Sequence, residues 1–164
     1  MSTFDVIITR RSIRSYEDKQ LPQQVLDQIL EAGRQSPSAV NRQPYRFVVV
    51  TDTELKKQMK GMFSRFIENA PVILVGCAHT KALLTGKWAE VDASIAMQNM
   101  VIVAWSIGVG SCWIGSFNEN KTKELLKIPK DWKIVALITF GYPAESPDER
   151  KKKTADELFG INQF

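Results

Sequence analysis

The fold is decided by residues 88–107, WAEVDASIAMQNMVIVAWSI. This run is nearly apolar on every side at helical spacing, which predicts a long helix buried in the core. Asp92, Gln98 and Asn99 interrupt the run, and polar residues at that density argue against a membrane-spanning helix. We therefore expect the other elements to pack around this helix.

Four short apolar runs predict buried strands. They are Phe47–Val50, Pro71–Ala78, Ser111–Ile114 and Ile134–Phe140. Helical patterns mark residues 4–10, 22–35, a segment opened by a Thr51–Glu54 capping box, and 118–127. The expected apolar face of the Thr51 helix consists of Leu55, Met59, Met62, Phe63 and Phe66. Strands separated by helices favour an α/β (α+β) three-layer sandwich, in which helices flank a mixed central sheet of about four strands.

The composition is that of a globular protein with one domain, residues 1–164. The net charge is +4, and the basic residues lie in two short groups rather than along one helix face, which favours a small anionic ligand over nucleic acid. Cys77 and Cys112 lie in apolar runs without metal-ligand spacing, which predicts reduced, structural thiols in a cytoplasmic protein. Residues 1–8 lack the pattern of a signal peptide.

The two basic groups stand near opposite ends of the chain. One is Arg10-Arg11-Ser12-Ile13-Arg14 and the other is Arg150-Lys151-Lys152-Lys153. Guanidinium groups bind phosphate bidentately and stay charged at any working pH. Either group alone is typical of a solvated surface. Together they predict the two sides of one anion site.

Conventional catalytic sets are missing from the sequence. His79 is the single histidine and has no evident partner, so a triad built on it is not expected. Gly108-Val109-Gly110 follows a helix and lacks the third glycine of a dinucleotide-binding loop. Glu90 and Asp92 fall on different helix faces, and the sequence offers no cluster of metal ligands. An enzyme of this composition can still act through a bound organic cofactor.

Five segments, in the same order, resemble those of the nitroreductase family of FMN-dependent oxidoreductases. They are RRSIR at 10–14, AGRQSPSAVNRQPYRF at 32–47, DASIAMQN at 92–99, GVGSCWIG at 108–115 and FGYP at 140–143. The resemblance covers nearly the whole chain. It implies a nitroreductase-like fold and a homodimer, with the long core helix at the dimer interface and two FMN molecules that are each shared between the subunits.

The resemblance also assigns cofactor-binding residues in the two basic groups. Arg10, Ser12 and Arg14, with Arg11 beside them, would hold the flavin's phosphate, ribityl chain and pyrimidine edge. A cation at that edge stabilises the reduced flavin. At the other end of the chain, the phosphate clamp would be formed by Arg150 and Lys152, with Lys151 or Lys153 as alternatives.

Two further segments complete the implied site. Ser38 and Asn41 match a loop, stiffened by Pro37 and Pro44, that reaches the flavin from the partner subunit. The strand end that lies against the flavin ring is matched by Trp113, Ile114 and Gly115. No catalytic side chain is assigned, because the flavin performs the chemistry.

The activity implied by the resemblance is hydride transfer from NAD(P)H through FMN to nitroaromatic, quinone or activated-alkene acceptors, with ping-pong kinetics. The choice between NADH and NADPH stays open. One alternative is a protein on the same scaffold that stores, senses or processes FMN. Another alternative, which discards the resemblance, is a basic module that binds an anionic polymer. The chain is short for the family, so we expect an open pocket and a C-terminal arm reduced to Leu158–Phe164.

Overall fold

The computed structural model describes residues 2–59, 61 and 64–164. The helices are α1 Thr3–Thr9, α2 Gln23–Arg34, α3 Thr53–Met59, α4 Ala89–Ser106, α5 Glu119–Leu126 and α6 Ala155–Leu158. The strands are β1 Tyr45–Val50, β2 Val72–Ala78, β3 Gly110–Ile114 and β4 Lys133–Gly141. Short 3-10 turns lie at Ala39–Asn41, Arg65–Asn69 and Gly86–Trp88.

The four strands form one sheet in the order β1-β2-β4-β3, and each neighbouring pair is antiparallel. A parallel bridge between Ser12 and Ser111 adds the segment after α1 to the free side of β3. The predicted fold class is therefore confirmed, with antiparallel pairing between the strands themselves.

The two faces of the sheet bury different side chains, as the twofold alternation of a strand requires. On β2, Val72 and Leu74 pack into the core shared with α2 and α4. Ile73 and Val75 belong to the core on the opposite face, beneath α3 and α5. All seven residues of β2 are buried, as the pattern predicted for an inner strand. The result is a three-layer sandwich.

The core helix predicted over residues 88–107 is observed as α4, one residue shorter at each end. Small side chains such as Ala93, Ala96 and Ala104 are fully buried along it, which lets α2 and the sheet approach closely. Gly108 follows in the left-handed conformation at φ 81°, so a glycine is favoured there. Among the described residues, no helix combines the length and the apolarity that crossing a membrane requires.

Three local predictions need correction. Asp52, not Thr51, caps α3, because the amide of Leu55 donates to Asp52 Oδ1 at 2.8 Å. Phe66 lies in the 3-10 turn Arg65–Asn69 rather than on the helix, although it packs on the same core as expected. Two other members of the predicted face, Met62 and Phe63, fall outside the described residues. The short helix α6, within an exposed C-terminal arm, was not predicted.

Candidate functional site

The arginine segment, residues 10–14, lies in extended form beside β3. The amide of Ile13 donates to the carbonyl of Ser111 at 2.9 Å. Ile13 is fully buried, whereas Arg14 is exposed. Because side chains alternate along an extended chain, burial of Ile13 turns Ser12 and Arg14 away from the core.

The stretch after β4 holds the same segment from its other side. Glu145 Oε1 accepts the amides of Arg14 and Ser15, the latter at 3.1 Å. In return, the amide of Ala144 donates to the carbonyl of Ser15 at 3.0 Å. The backbone around Arg14 is thus fixed by a carboxylate 131 residues further along the chain.

Tyr16 ties the arginine segment to the sheet. Its hydroxyl donates to the carbonyl of Ile13 at 2.6 Å and lies 2.6 Å from Thr139 Oγ1 on β4. Burial raises the pKa of Tyr16 well above its usual value. The phenol therefore stays protonated and keeps its hydrogen bonds at neutral pH.

A cavity of about 380 Å³, the arginine cavity, is lined by residues from both ends of the chain. The predicted ligands that line it are Arg10, Arg11, Ser12, Arg14, Arg150 and Lys152. Of the second basic group, Arg150 and Lys152 line the cavity, and Lys151 and Lys153 are not among its lining residues. Asp148 and Glu149 also line the cavity and offset part of its positive charge.

The arginines of the cavity differ in what they already bind. Arg11 Nη1 donates to the carbonyl of Ile8 at 2.8 Å, and its guanidinium lies 3.7 Å from a carboxylate oxygen of Glu149. By contrast, the guanidinium groups of Arg10 and Arg14 make no hydrogen bond or ion pair with any residue that the structure describes. Arg11 is thus a structural link between the chain ends, and Arg10 and Arg14 keep their donors for an anion.

Cys112 lies on β3 close to these cations, but it is not a nucleophile. Burial raises the pKa of its thiol, and the positive charges of Arg14 and Arg10 oppose that shift only in part. The reactive form of cysteine is the thiolate. A buried thiol with a raised pKa is inert, so the observed geometry adds no covalent chemistry.

The loop of residues 37–44 has an unusual backbone. Val40, Asn41 and Gln43 adopt left-handed conformations with φ of 48°, 54° and 50°. Such values are rare outside glycine, and for a β-branched residue they mark a strained backbone. The amide of Gln43 donates to Ser38 Oγ at 2.9 Å, which closes the loop. Val40 is 82% exposed at its tip.

The third predicted part of the site is the end of β3. Trp113 packs against α4, and its indole N–H donates to Gln98 Oε1 at 3.1 Å. Ile114 is buried in the core on the opposite face of the sheet, so only its backbone is available to a ligand. Gly115 is exposed, and nothing lies within 4 Å of the position that a Cβ would take.

Within one chain these parts do not form a single pocket. The residues that line the arginine cavity include none of the predicted ligands from the loop or from the end of β3. Those absent from the lining are Pro37, Ser38, Asn41, Trp113, Ile114 and Gly115. The structure thus groups the ligands from the two chain ends and leaves the loop elsewhere on the surface.

Sequence reasoning missed the polar residues of α4 that hold the loop. Both oxygens of Asp92 accept the amide of Ala39, at 3.1 and 3.2 Å. Asn99 Nδ2 donates to Ser36 Oγ at 2.8 Å. The signal available in the sequence is the presence of these polar residues in an otherwise apolar helix.

His79 does have a partner, contrary to the sequence-based expectation. Its Nε2 lies 3.2 Å from Asp131 Oδ2, and its ring stacks on Trp132 with centroids 5.1 Å apart. Neither residue lines the arginine cavity. The contact joins the end of β2 to the stretch before β4 and has no apparent link to the candidate site.

The donor set of the arginine cavity fits a phosphorylated ligand such as FMN. Two guanidinium groups that bind none of the residues the structure describes stand with Ser12, Arg150 and Lys152 around one space. Guanidinium and ammonium groups are the donors that proteins use for phosphate. The site therefore has the chemistry to hold the phosphate end of the cofactor.

Comparison with known proteins identifies the family of this chain. The family model described as "Nitroreductase family" matches residues 7–71 and 58–142. A relative from Methanothermobacter thermautotrophicus, whose name assigns it as an NADH dehydrogenase/NAD(P)H nitroreductase, is 36% identical over 96% of this chain and 86% of its own length. The FMN reductase [NAD(P)H] of Bacillus subtilis is 33% identical over 82% of this chain and 63% of its own length.

Solved structures give the same result for the fold. An FMN-dependent nitroreductase from Clostridium difficile superimposes with a TM-score of 0.83 at 29% identity, over 98% of this chain and 99% of that one. Sequence and fold thus match those of known nitroreductases over almost the whole chain. The chain belongs to the nitroreductase family.

Proposed function

We propose that this chain is an FMN-dependent oxidoreductase that passes a hydride from NAD(P)H to nitroaromatic, quinone or activated-alkene acceptors. The coarser class, an NAD(P)H-dependent flavin oxidoreductase, follows from the family and from the names of its relatives. The observation that carries the proposal is the cavity in which guanidinium groups from one end of the chain, unpaired among the described residues, meet cations from the other end.

Each residue of the cavity has a role in the proposal. Arg10 would bind the phosphate together with Arg150 and Lys152. Arg14 would place its charge at the pyrimidine edge of the flavin, where a cation favours the reduced form. Ser12 would bind the ribityl chain. Arg11 would act indirectly, because its contacts to Ile8 and Glu149 hold the two ends of the chain together.

The rest of the site would come from a second subunit, so the active unit is a homodimer. The loop with Ser38 and Asn41 points out from the surface and does not reach the arginine cavity of its own chain. Exposed apolar side chains on two adjacent helices, Phe4 and Ile7 of α1 and Val91 and Ile95 of α4, provide a surface for the partner. A groove of about 500 Å³ runs along this part of α4.

When bound, FMN supplies hydride transfer, and one ring face that serves both nicotinamide and acceptor predicts ping-pong kinetics. The chain's own contribution is to bind and orient. Trp113 and Gly115 would line the ring, and the open space at Gly115 lets a ligand approach the backbone closely. In this proposal the whole of residues 1–164 forms one FMN-binding domain. Its two buried free cysteines suit the reducing cytoplasm.

The test is anaerobic reduction of the purified protein loaded with FMN. We expect a yellow protein whose flavin absorbance bleaches with NADH or NADPH and returns when a quinone or nitroaromatic is added. Bound flavin that neither nicotinamide bleaches would favour storage or processing of FMN instead. A colourless protein that does not bind added FMN would contradict the proposal.

A further inference from the structure

The starting point is the strained loop of residues 37–44. Three of its eight residues are non-glycine residues in the left-handed region, and most of the loop is exposed. Backbone strain of this kind persists only where surrounding contacts determine the conformation. The loop therefore needs a contact that holds it from outside.

Asp92 provides that contact from the first turn of α4. Its side chain is buried, with a relative exposure of 4%, and among the described residues its hydrogen-bond donor is the amide of Ala39. Burying a carboxylate is costly unless it is bound. Here the positive end of the α4 macrodipole and the amide of Ala39 together compensate its charge.

Ser38 lies directly before the residue that Asp92 holds. Ala39 is the first residue of a 3-10 turn, and Ser38, at the N-cap position, makes no capping bond with its side chain. The hydroxyl of Ser38 instead accepts the amide of Gln43. In this bond the Ser38 oxygen is the acceptor, so its O–H remains available as a donor.

Neighbouring acids do not share this role. Glu90, two residues earlier, faces the other way and pairs with Lys133 at 2.7 Å. Tyr45 also lies near Asp92, but its hydroxyl donates to the carbonyl of Ser36, at 3.5 Å, rather than to Asp92. The amide of Ala39 therefore depends on Asp92 alone among the described side chains.

We propose that Asp92 is a positioning residue for the flavin site, which holds the 37–44 loop in the conformation that presents Ser38 and Asn41 to the FMN of the partner subunit. The inference rests on the proposed function, because the loop matters only if a flavin is shared between subunits. Asp92 does not touch the cofactor itself, and its effect passes through the amide of Ala39.

The test compares Asp92→Ala with Asp92→Asn, which keeps an acceptor oxygen of the same size. Thr122→Ala is the matched control, since Thr122 is also buried and its hydroxyl donates to the carbonyl of Asn118, but it lies on α5, across the sheet from α4 and the loop. The first measurement is hydrogen exchange of the 37–44 segment in the full-length protein. The second is the affinity for FMN and for riboflavin, followed by flavin fluorescence.

We expect Asp92→Ala to speed exchange in the loop and to weaken FMN binding by about 2- to 10-fold, the effect of one lost hydrogen bond. Riboflavin should weaken by the same factor, because the loop does not bind the phosphate. Asp92→Asn should restore most of both properties. Thr122→Ala should change neither, even if it lowers the melting temperature as much as Asp92→Ala does.

Two results would overturn the inference. One is unchanged loop exchange in Asp92→Ala, and the other is faster exchange with unchanged flavin affinity. If Asp92→Ala does not fold, Ala39→Pro removes the donor instead, in a position where a first-turn proline is tolerated. It should show the same losses. Failure of the wild type to bind any flavin would contradict the proposed function as well. In that case the exchange data still show whether Asp92 holds the loop.

Discussion

The arginine segment and the 37–44 loop are both matched to flavin ligands, but they differ in how they are attached and in whether they line the arginine cavity. The arginine segment is built into the sheet through Ser111 and Glu145, and it lines a cavity with residues from the other end of the same chain. The loop is strained and exposed, and it lines no part of that cavity.

The difference indicates how the site is divided. The cations proposed to bind the phosphate come from both ends of one chain and line one cavity. A single chain can therefore supply all of them. The loop lines no part of that cavity, and in the proposed function it completes the site of a partner subunit instead. Substitutions in the two regions should therefore weaken FMN binding in different ways.

Arg10→Ala should have the largest effect. A charge-assisted contact is worth about 1.5–3 kcal/mol, so FMN affinity should fall about 10- to 100-fold. Arg34→Ala is the control, since Arg34 is exposed on α2 and pairs with Glu31 at 2.6 Å. Fluorescence titration of the apoprotein measures both. An Arg10→Ala protein that purifies fully loaded with FMN would contradict the role of Arg10.

Glu145→Ala should have the next largest effect, about 5-fold or more, because two backbone amides lose their acceptor. Removal of a negative charge near a phosphate site should by itself strengthen anion binding. A decrease in FMN affinity would therefore report lost positioning of Arg14. Glu124→Ala on α5 removes the same charge at an exposed position and should leave the affinity unchanged.

Asn41→Ala should weaken FMN binding by about 2- to 10-fold, and only in the dimer. The experiment measures FMN affinity of the variant and the wild type over a range of protein concentrations that spans dimer dissociation. The two proteins should differ at high concentration and converge at low concentration. Equal affinity at every concentration would count against a site shared between subunits.

Tyr16→Phe should have the smallest effect, which is a change in how stability depends on alkaline pH. The folded state favours the neutral phenol, so its contribution to stability is complete below the usual tyrosine pKa of about 10 and is lost as the pH rises above it. Urea unfolding should show wild-type stability falling as the pH rises above about 10. In Tyr16→Phe this fall should be shallower, with lower stability at pH 8 because the hydroxyl's hydrogen bonds are absent. An identical slope would exclude Tyr16 as the titrating group.

Much of the fold could be predicted from the sequence, for a physical reason. The core helix was found within one residue at each end, because a run that is apolar on all sides has few alternatives to burial. The strand order could not be predicted, since it depends on which distant runs pair. The cap of α3 was misplaced by one residue, because Thr51 and Asp52 are both good N-cap residues and only the backbone geometry decides between them.

The candidate site, like the fold, could be predicted only in part from the sequence. Charge alone suggested that basic groups at opposite ends of the chain could face one anion. It could not show that Arg11 is bound to Ile8 and Glu149, or that Ile114 points into the far core. The role of Asp92 was equally hidden, because it contacts a residue 53 positions away.

The most direct test of the account compares FMN with riboflavin, which differ only by the phosphate. If cations from both ends of the chain bind that phosphate, the wild type should bind FMN at least about 10-fold more tightly than riboflavin, and Arg10→Ala should remove most of that preference. Equal affinity of the wild type for the two flavins would contradict the binding of the phosphate by these cations, on which the account depends.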